Sequence, residues 1–238
     1  MFLYERLKKR ITQIGSLPLS DVEAAVRYSL KHDIPFLPEL PSLGDAMLSY
    51  IKRPGELSAL SEFKRHRFQV VKVQAIGPAT LILAGYGEDE ALLRIYHHVE
   101  RILDGLSAQE IILFLDEPAL GQAGFDYIPL WEAIFSEFPV VRGVHVCGNM
   151  QWDQLFSCNA IDIISFDASR YDITLYYPRK GKRIAWGIRE PGQVRDFRPG
   201  DLITPPCGLS PQAYHPQDLP GVLALLRRAA LRCRCPEA

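Results

Sequence analysis

Eight short apolar stretches, most of them followed by a helix-length amphipathic segment, constrain this chain more than any other feature. They fall at residues 11–17, 35–41, 68–76, 111–115, 140–146, 161–166, 183–188 and 202–204. Helical patterns cover 43–51, 89–106, 127–136, 152–156 and 219–231, and an earlier one running to about residue 31 opens on the capping pair Ser20-Asp21. Wholly apolar runs such as 111–115 suit strands buried on both faces, as in a parallel sheet covered by helices. The alternation predicts an α/β fold, a (β/α)8 TIM-type barrel in one compact domain over residues 1–238, near the lower end of length for that fold. The competing arrangement is an open doubly wound sheet. Against it, no strand is followed by a Gly-rich phosphate turn of the GxGxxG or GxxxxGK type.

The charge balance, 27 Lys+Arg against 28 Asp+Glu, gives no basic surface for nucleic acid, and the expected partner is a small molecule. No stretch approaches the roughly 20 apolar residues of a membrane helix, and residues 1–6 lack a signal peptide's apolar run, so a cytoplasmic location is expected. Five cysteines, an odd number, do not form a disulfide framework. In a reducing compartment, well-placed ones serve metals or catalysis. Cys233 and Cys235 fall in a tail expected to be disordered from about residue 232, and Cys158 reads as a small buried side chain.

In a barrel, reacting groups gather where strands end. His145 and Cys147, two positions apart on one strand, point to the same side. Asp167 ends the next strand and Cys207 follows the last, in Thr204-Pro205-Pro206-Cys207-Gly208-Leu209. One imidazole, two thiolates and a carboxylate can surround a tetrahedral zinc, and sulfur ligands argue against magnesium or calcium. Each residue also has a plainer reading. A His beside a Cys is ordinarily core, Asp167 can cap a turn or pair with Arg170, and Asp116-Glu117-Pro118 can be a solvated strand-ending turn. His97-His98 reads as part of a helix's polar face, and Asn149 as a loop residue or a partner to a ligand.

Six motifs in order, Gln13-Ile14-Gly15-Ser16-Leu17-Pro18, Gly77-Pro78-Ala79-Thr80-Leu81, Leu115-Asp116-Glu117-Pro118-Ala119-Leu120, His145-Val146-Cys147, Asp167-Ala168-Ser169-Arg170 and Pro206-Cys207-Gly208-Leu209, span most of the chain. Together they resemble the catalytic half of cobalamin-independent methionine synthase, within a superfamily that also contains corrinoid-dependent zinc methyltransferases and uroporphyrinogen decarboxylases. The resemblance implies a TIM-type barrel with zinc held by His145, Cys147 and Cys207, where the family's glutamate is replaced by the shorter Asp167. It also implies that Asp116 holds the amino group of homocysteine, and that the backbone of Ile14, Gly15 and Ser16 holds its carboxylate. A second amino-group acid falls at Glu39 or Asp45, of which Glu39 is the expected one. Glu117 stands beside Asp116 as a further candidate catalytic carboxylate.

The expected activity is therefore methylation of a small thiol, homocysteine giving methionine, with the methyl group arriving from a methylated corrinoid or a folate. Two cysteinates leave a zinc-coordinated sulfur electron-rich, which suits alkyl transfer better than hydrolysis. The alternatives are a non-catalytic zinc-binding barrel and a decarboxylase-like protein without metal.

Overall fold

The structure is a computed structural model that describes residues 1–8 and 10–233. Six strands, β1 (Arg67–Ile76), β2 (Ser107–Asp116), β3 (Val141–Val146), β4 (Ile163–Asp167), β5 (Arg183–Gly187) and β6 (Leu202–Thr204), pair in that order and all in parallel. The carboxyl end of each lies within one residue of that expected from its apolar run, whereas β2 begins four residues earlier and β4 two residues later than expected. The sequential order has no reversal, so the doubly wound alternative is also not what forms.

The expected closed eight-stranded (β/α)8 barrel is corrected to this open six-stranded half-barrel. The first two expected strands, 11–17 and 35–41, do not form ladders. They make single parallel bridges, Ile11 to Ile203, Ser16 to Glu39 and Phe36 to Lys72. The second segment carries Pro35, Pro38 and Pro41, which have no N–H to donate, so a continuous ladder cannot run along it. Only alternate contacts survive, such as Leu37 N–H to the Lys72 carbonyl and Glu39 N–H to the Gly15 carbonyl.

Apolar burial follows the strand period of two. Val70, Ile112, Phe114, Val141, Ile163, Ala185 and Leu202 form a compact inner cluster, with Tyr4 from the short helix Leu3–Arg6 packed into it. Residues of the other parity, Val71, Val73, Leu113, Val144, Ile164 and Ile203 among them, join the helices in the larger outer core. Gly143 leaves room on the inner face, where a Cβ would come 2.7 Å from the Phe114 ring. The helices Glu88–Leu103 and Leu219–Arg232 occupy the expected segments, and Asp21 caps Val22–Ser29 by accepting from Ala24 N–H. The expected 43–51 helix is reduced to Met47–Tyr50 behind the 3-10 turn Pro41–Leu43.

Among the described residues no helix is long and apolar enough to cross a membrane. Cys158 is buried, as expected. Arg232 still belongs to the last helix, while residues 234–238, including Cys235 and most of the expected tail, lie outside the described residues. His97 is exposed beside Glu100, but His98 is not on the polar face. It stacks on Tyr50 at 4.4 Å, accepts from Gly55 N–H, and burial pushes its pKa down to about 3.

Candidate functional site

The inner face turns polar at the carboxyl ends of the strands. In register, Asp116 stands opposite His145, His145 opposite Ser165, and Gly187 between Asp167 and Thr204. Below them on β1, Lys72 and Gln74 are completely buried. A parallel sheet brings successive strand ends to one edge, so residues distant in sequence become neighbours by topology alone.

His145, Cys147 and Cys207 converge there, with one donor atom from each lying within 4.8 Å of the others. His145 Nε2 is 3.1 Å from Cys147 Sγ, and the two sulfurs are 3.5 Å apart. A tetrahedral ion such as zinc, with bonds of about 2.3 Å to sulfur and 2.0 Å to nitrogen, spaces its donors roughly 3.5–3.8 Å apart. The trio thus fits such an ion after an outward movement of a few tenths of an ångström. Ser165 Oγ lies 3.0 Å from His145 Nδ1, so Nε2 is the nitrogen turned toward the sulfurs.

Burial grades across the group, from buried His145 through half-buried Cys147 to exposed Cys207, which opens one side to solvent. As free thiols the two cysteines lie within hydrogen-bond reach of each other. The hydrogen bond between them, with His145 close by, pulls Cys207 down to about 4, and the same bond pushes Cys147 up.

Asp167 is outside this group of donors. Its Oδ1 accepts from Ser169 N–H and Oγ, the turn-capping arrangement that the sequence offered as the plainer reading. Its charge still acts on Cys147, raising that thiol's pKa. Arg170 lies over the Tyr171 ring.

Two adjacent acids, Asp116 at the end of β2 and Glu117 just after it, diverge in role. Glu117 accepts four hydrogen bonds, from Ala79 N–H, Thr80 N–H, Thr80 Oγ1 and Trp131 Nε1. It anchors the Gly77–Thr80 turn, and the expected catalytic carboxylate has no lone pair left over for substrate. Asp116 is equally buried, yet neither of its oxygens has a partner. Burial pushes its carboxyl up, opposed by Lys72 and His145. A buried polar group without partners is costly, and a ligand donor is the natural way to satisfy it.

Compared with protein-family models and with curated proteins, the chain matches none.

Glu39, rather than Asp45, faces this acid. Asp45 is consumed by the loop, accepting from Leu40 N–H, Ser58 N–H and Ser58 Oγ. Glu39 accepts from Gln74 Nε2 at 3.1 Å and Ser16 Oγ at 3.3 Å, and its pKa is pushed up to about 8 by burial and by the charge of Asp116. Ile14 is buried, and Gly15 has no room for a side chain, since a Cβ there would sit 1.8 Å from Gln74 Nε2. The Ser16 carbonyl accepts from Leu209 N–H, and a Cβ on Gly208 would touch Ser16 Cβ, so this segment abuts the Cys207 turn.

Beside the Cys147 loop lies a cavity of 790 Å³ lined by Gly121, Asp126, Tyr127, Asn149, Met150 and Gln154 among others. Asn149 is exposed there, its carbonyl packed on Gly121. Ser165, Thr204, Lys72 and Gln74 were not anticipated as site residues. The available signal was polar residues at period two within apolar strands, clearest in Val71-Lys72-Val73-Gln74.

Proposed function

We propose that this protein is a zinc-dependent methyltransferase that methylates a small thiol, homocysteine giving methionine. The observation that carries this reading is the placement of a His-Cys-Cys donor trio on the same sheet edge as Asp116, a buried carboxylate with two unpartnered oxygens. The order of six motifs resembling the catalytic half of cobalamin-independent methionine synthase supports it.

Zinc, when bound by His145, Cys147 and Cys207, supplies the Lewis acidity that lets a thiol lose its proton near neutral pH. The chain's own residues do the rest. Asp116 and Glu39 receive the acceptor's amino group, and the segment Ile14-Gly15-Ser16 offers backbone and a hydroxyl to its carboxylate. Ser165 orients His145. In the reaction the acceptor sulfur's electron pair forms the new S–C bond while the donor's bond to methyl breaks and its electrons stay with the donor. A reducing cytoplasm would keep Cys147 and Cys207 as the thiols this requires.

The methyl donor is a methylated corrinoid or a methylfolate. The 790 Å³ cavity beside Cys147 favours the former, because Asp126 is the one charged residue among its described lining and no lysine or arginine is there to hold a folate's glutamate tail.

Metal analysis followed by titration with homocysteine tests the reading. One zinc per chain and release of about one proton per zinc on thiol binding are expected, with methyl transfer from methylcobalamin or methylfolate identifying the donor. Zinc without any thiol response would mark a non-catalytic metal site, and protein purified without chelator that holds no zinc would overturn the proposal.

A further inference from the structure

We infer that the groove between the helices Val22–Ser29 and Leu219–Arg232 binds an amphiphilic carboxylate with a straight apolar tail, held at its charged end by Lys31 and Arg227. The groove lies between two helices, not at the strand ends, and the inference does not rest on the thiol-methylating reading.

The groove is a cavity of 710 Å³, a size within the range of about 300–1,000 Å³ usual for small-molecule sites. Buried Tyr28, Leu219 and Leu223 line it together with half-buried Leu19 and Ala24 and exposed Ala224. Tyr28 offers only its ring to a ligand. Its hydroxyl proton is shared between Gln13 Oε1 at 3.1 Å and the Leu219 carbonyl at 3.3 Å. Apolar surface of this kind gains by being covered, and the part of a ligand that covers it must itself be apolar. An extended peptide would bring N–H and C=O groups that these side chains cannot pair.

The charge is one-sided. Lys31 and Arg227 line the cavity, and no acidic residue is among its described lining. The two stand together, since Arg227 Nη2 donates to the Lys31 carbonyl at 3.1 Å. Asp33, the acid nearest to Lys31 in sequence, accepts instead from Arg10 N–H and Ile11 N–H. His32 brings no third charge, because burial, with a smaller push from Arg227, lowers its pKa to about 4. A carboxylate placed here meets the guanidinium fork of Arg227 and the ammonium of Lys31.

The same helix sets the length of the tail. From Leu219, at its start, to Arg227 is just over two turns, about 12 Å along the axis. A straight chain of about eight to ten carbons spans that distance. A polar head with two cations at one end and a purely apolar body of this length describes a medium-chain fatty acid.

Calorimetric titration of the full chain with decanoate below its micelle-forming concentration tests this, beside hexanoate, octanoate and decanol. About one decanoate per chain should bind, with affinity rising about three- to fourfold for each methylene added from hexanoate onward. Decanoate should bind at least about tenfold more tightly than decanol. Ala224→Trp, at an exposed helix position, should abolish binding while zinc content and circular dichroism stay those of the wild type. With Lys31→Gln and Arg227→Gln combined, decanoate and decanol should bind alike. Absence of decanoate binding, equal wild-type affinity for decanol, or undiminished binding in Ala224→Trp would overturn the inference. Two further results would do the same in the absence of decanoate binding. A dimer in sedimentation velocity that Ala224→Trp converts to monomer would make the groove a contact between copies, and capture by phosphatidylglycerol vesicles would make it a membrane-facing patch. Should Ala224→Trp not fold, the paired charge variant decides, since a retained preference for decanoate there would sink the assignment.

Discussion

Ser165 stands opposite His145 in the sheet, its hydroxyl 3.0 Å from His145 Nδ1. The contact sets which imidazole nitrogen faces the two cysteines. Removing such an outer partner usually costs about 10- to 100-fold in metal affinity. Ser165→Ala is therefore expected to bind zinc about tenfold more weakly without unfolding, measured by competition with a chelator. Unchanged affinity would show that packing alone orients the ring.

Cys207 is the exposed member of the trio. Cys207→Ser is expected to lower zinc content and abolish thiol methylation while the far-ultraviolet circular dichroism stays that of the wild type. Full zinc occupancy in the variant would remove Cys207 from the ligand set.

Asp167 spends its Oδ1 on the Ser169 turn and stands outside the donor group. Asp167→Ala is expected to retain zinc, with weaker affinity or altered thiol exchange. Complete zinc loss would show that the carboxylate swings in as a ligand, and an unchanged protein would leave it as a turn cap.

Gly77 has no space for a methyl group, because a Cβ would lie 2.1 Å from Glu117 Cδ. Glu117 cannot retreat without breaking bonds to Ala79, Thr80 and Trp131. Gly77→Ala should destabilise the fold by about 1–3 kcal/mol, read as a lowered urea midpoint. Wild-type stability would mean the Gly77–Thr80 turn is softer than its hydrogen bonds indicate.

Two buried histidines set an acid limit. Burial lowers His98 to about 3 and His32 to about 4, from an ordinary 6.5, so both are neutral in the fold. The unfolded chain binds protons that the fold refuses. Stability from these groups is complete above about pH 6.5 and is lost progressively as pH falls toward 3. His98→Phe keeps a ring against Tyr50 and should flatten part of this acid slope, leaving the share of His32. Denaturation midpoints measured from pH 7.5 to 4 check it, and an equally steep slope in the variant would contradict the assignment.

Much of the fold was legible from local pattern. The apolar runs that became β1 to β6 and the amphipathic helices were recognisable because burial on a strand or helix imposes its period on the sequence. The closed barrel was not. Residues 11–17 and 35–41 carry enough apolar side chains to look like strands, but the prolines of the second and the tight Gly15–Gln74 contact of the first leave them only isolated bridges.

His145, Cys147 and Cys207 stood out as candidates because thiols and imidazoles at strand ends are chemically conspicuous, but it was the resemblance in motif order that singled them out as a ligand set, and their convergence required only that the strand ends share an edge. The difference between Asp116 and Glu117 was out of reach. The two are adjacent, equally acidic and equally buried. What separates them is that four donors from two other segments surround one and none reaches the other, a matter of where Thr80 and Trp131 arrive in space. Sequence alone determined the period-two and helical patterning and the chemical kinds of side chain at the strand ends, since both are local properties of the chain. Tertiary structure alone decided which strands complete a ladder, which carboxylate is left unsatisfied and that Gln74 ties Lys72 to Glu39, because hydrogen-bond satisfaction depends on partners far away along the chain.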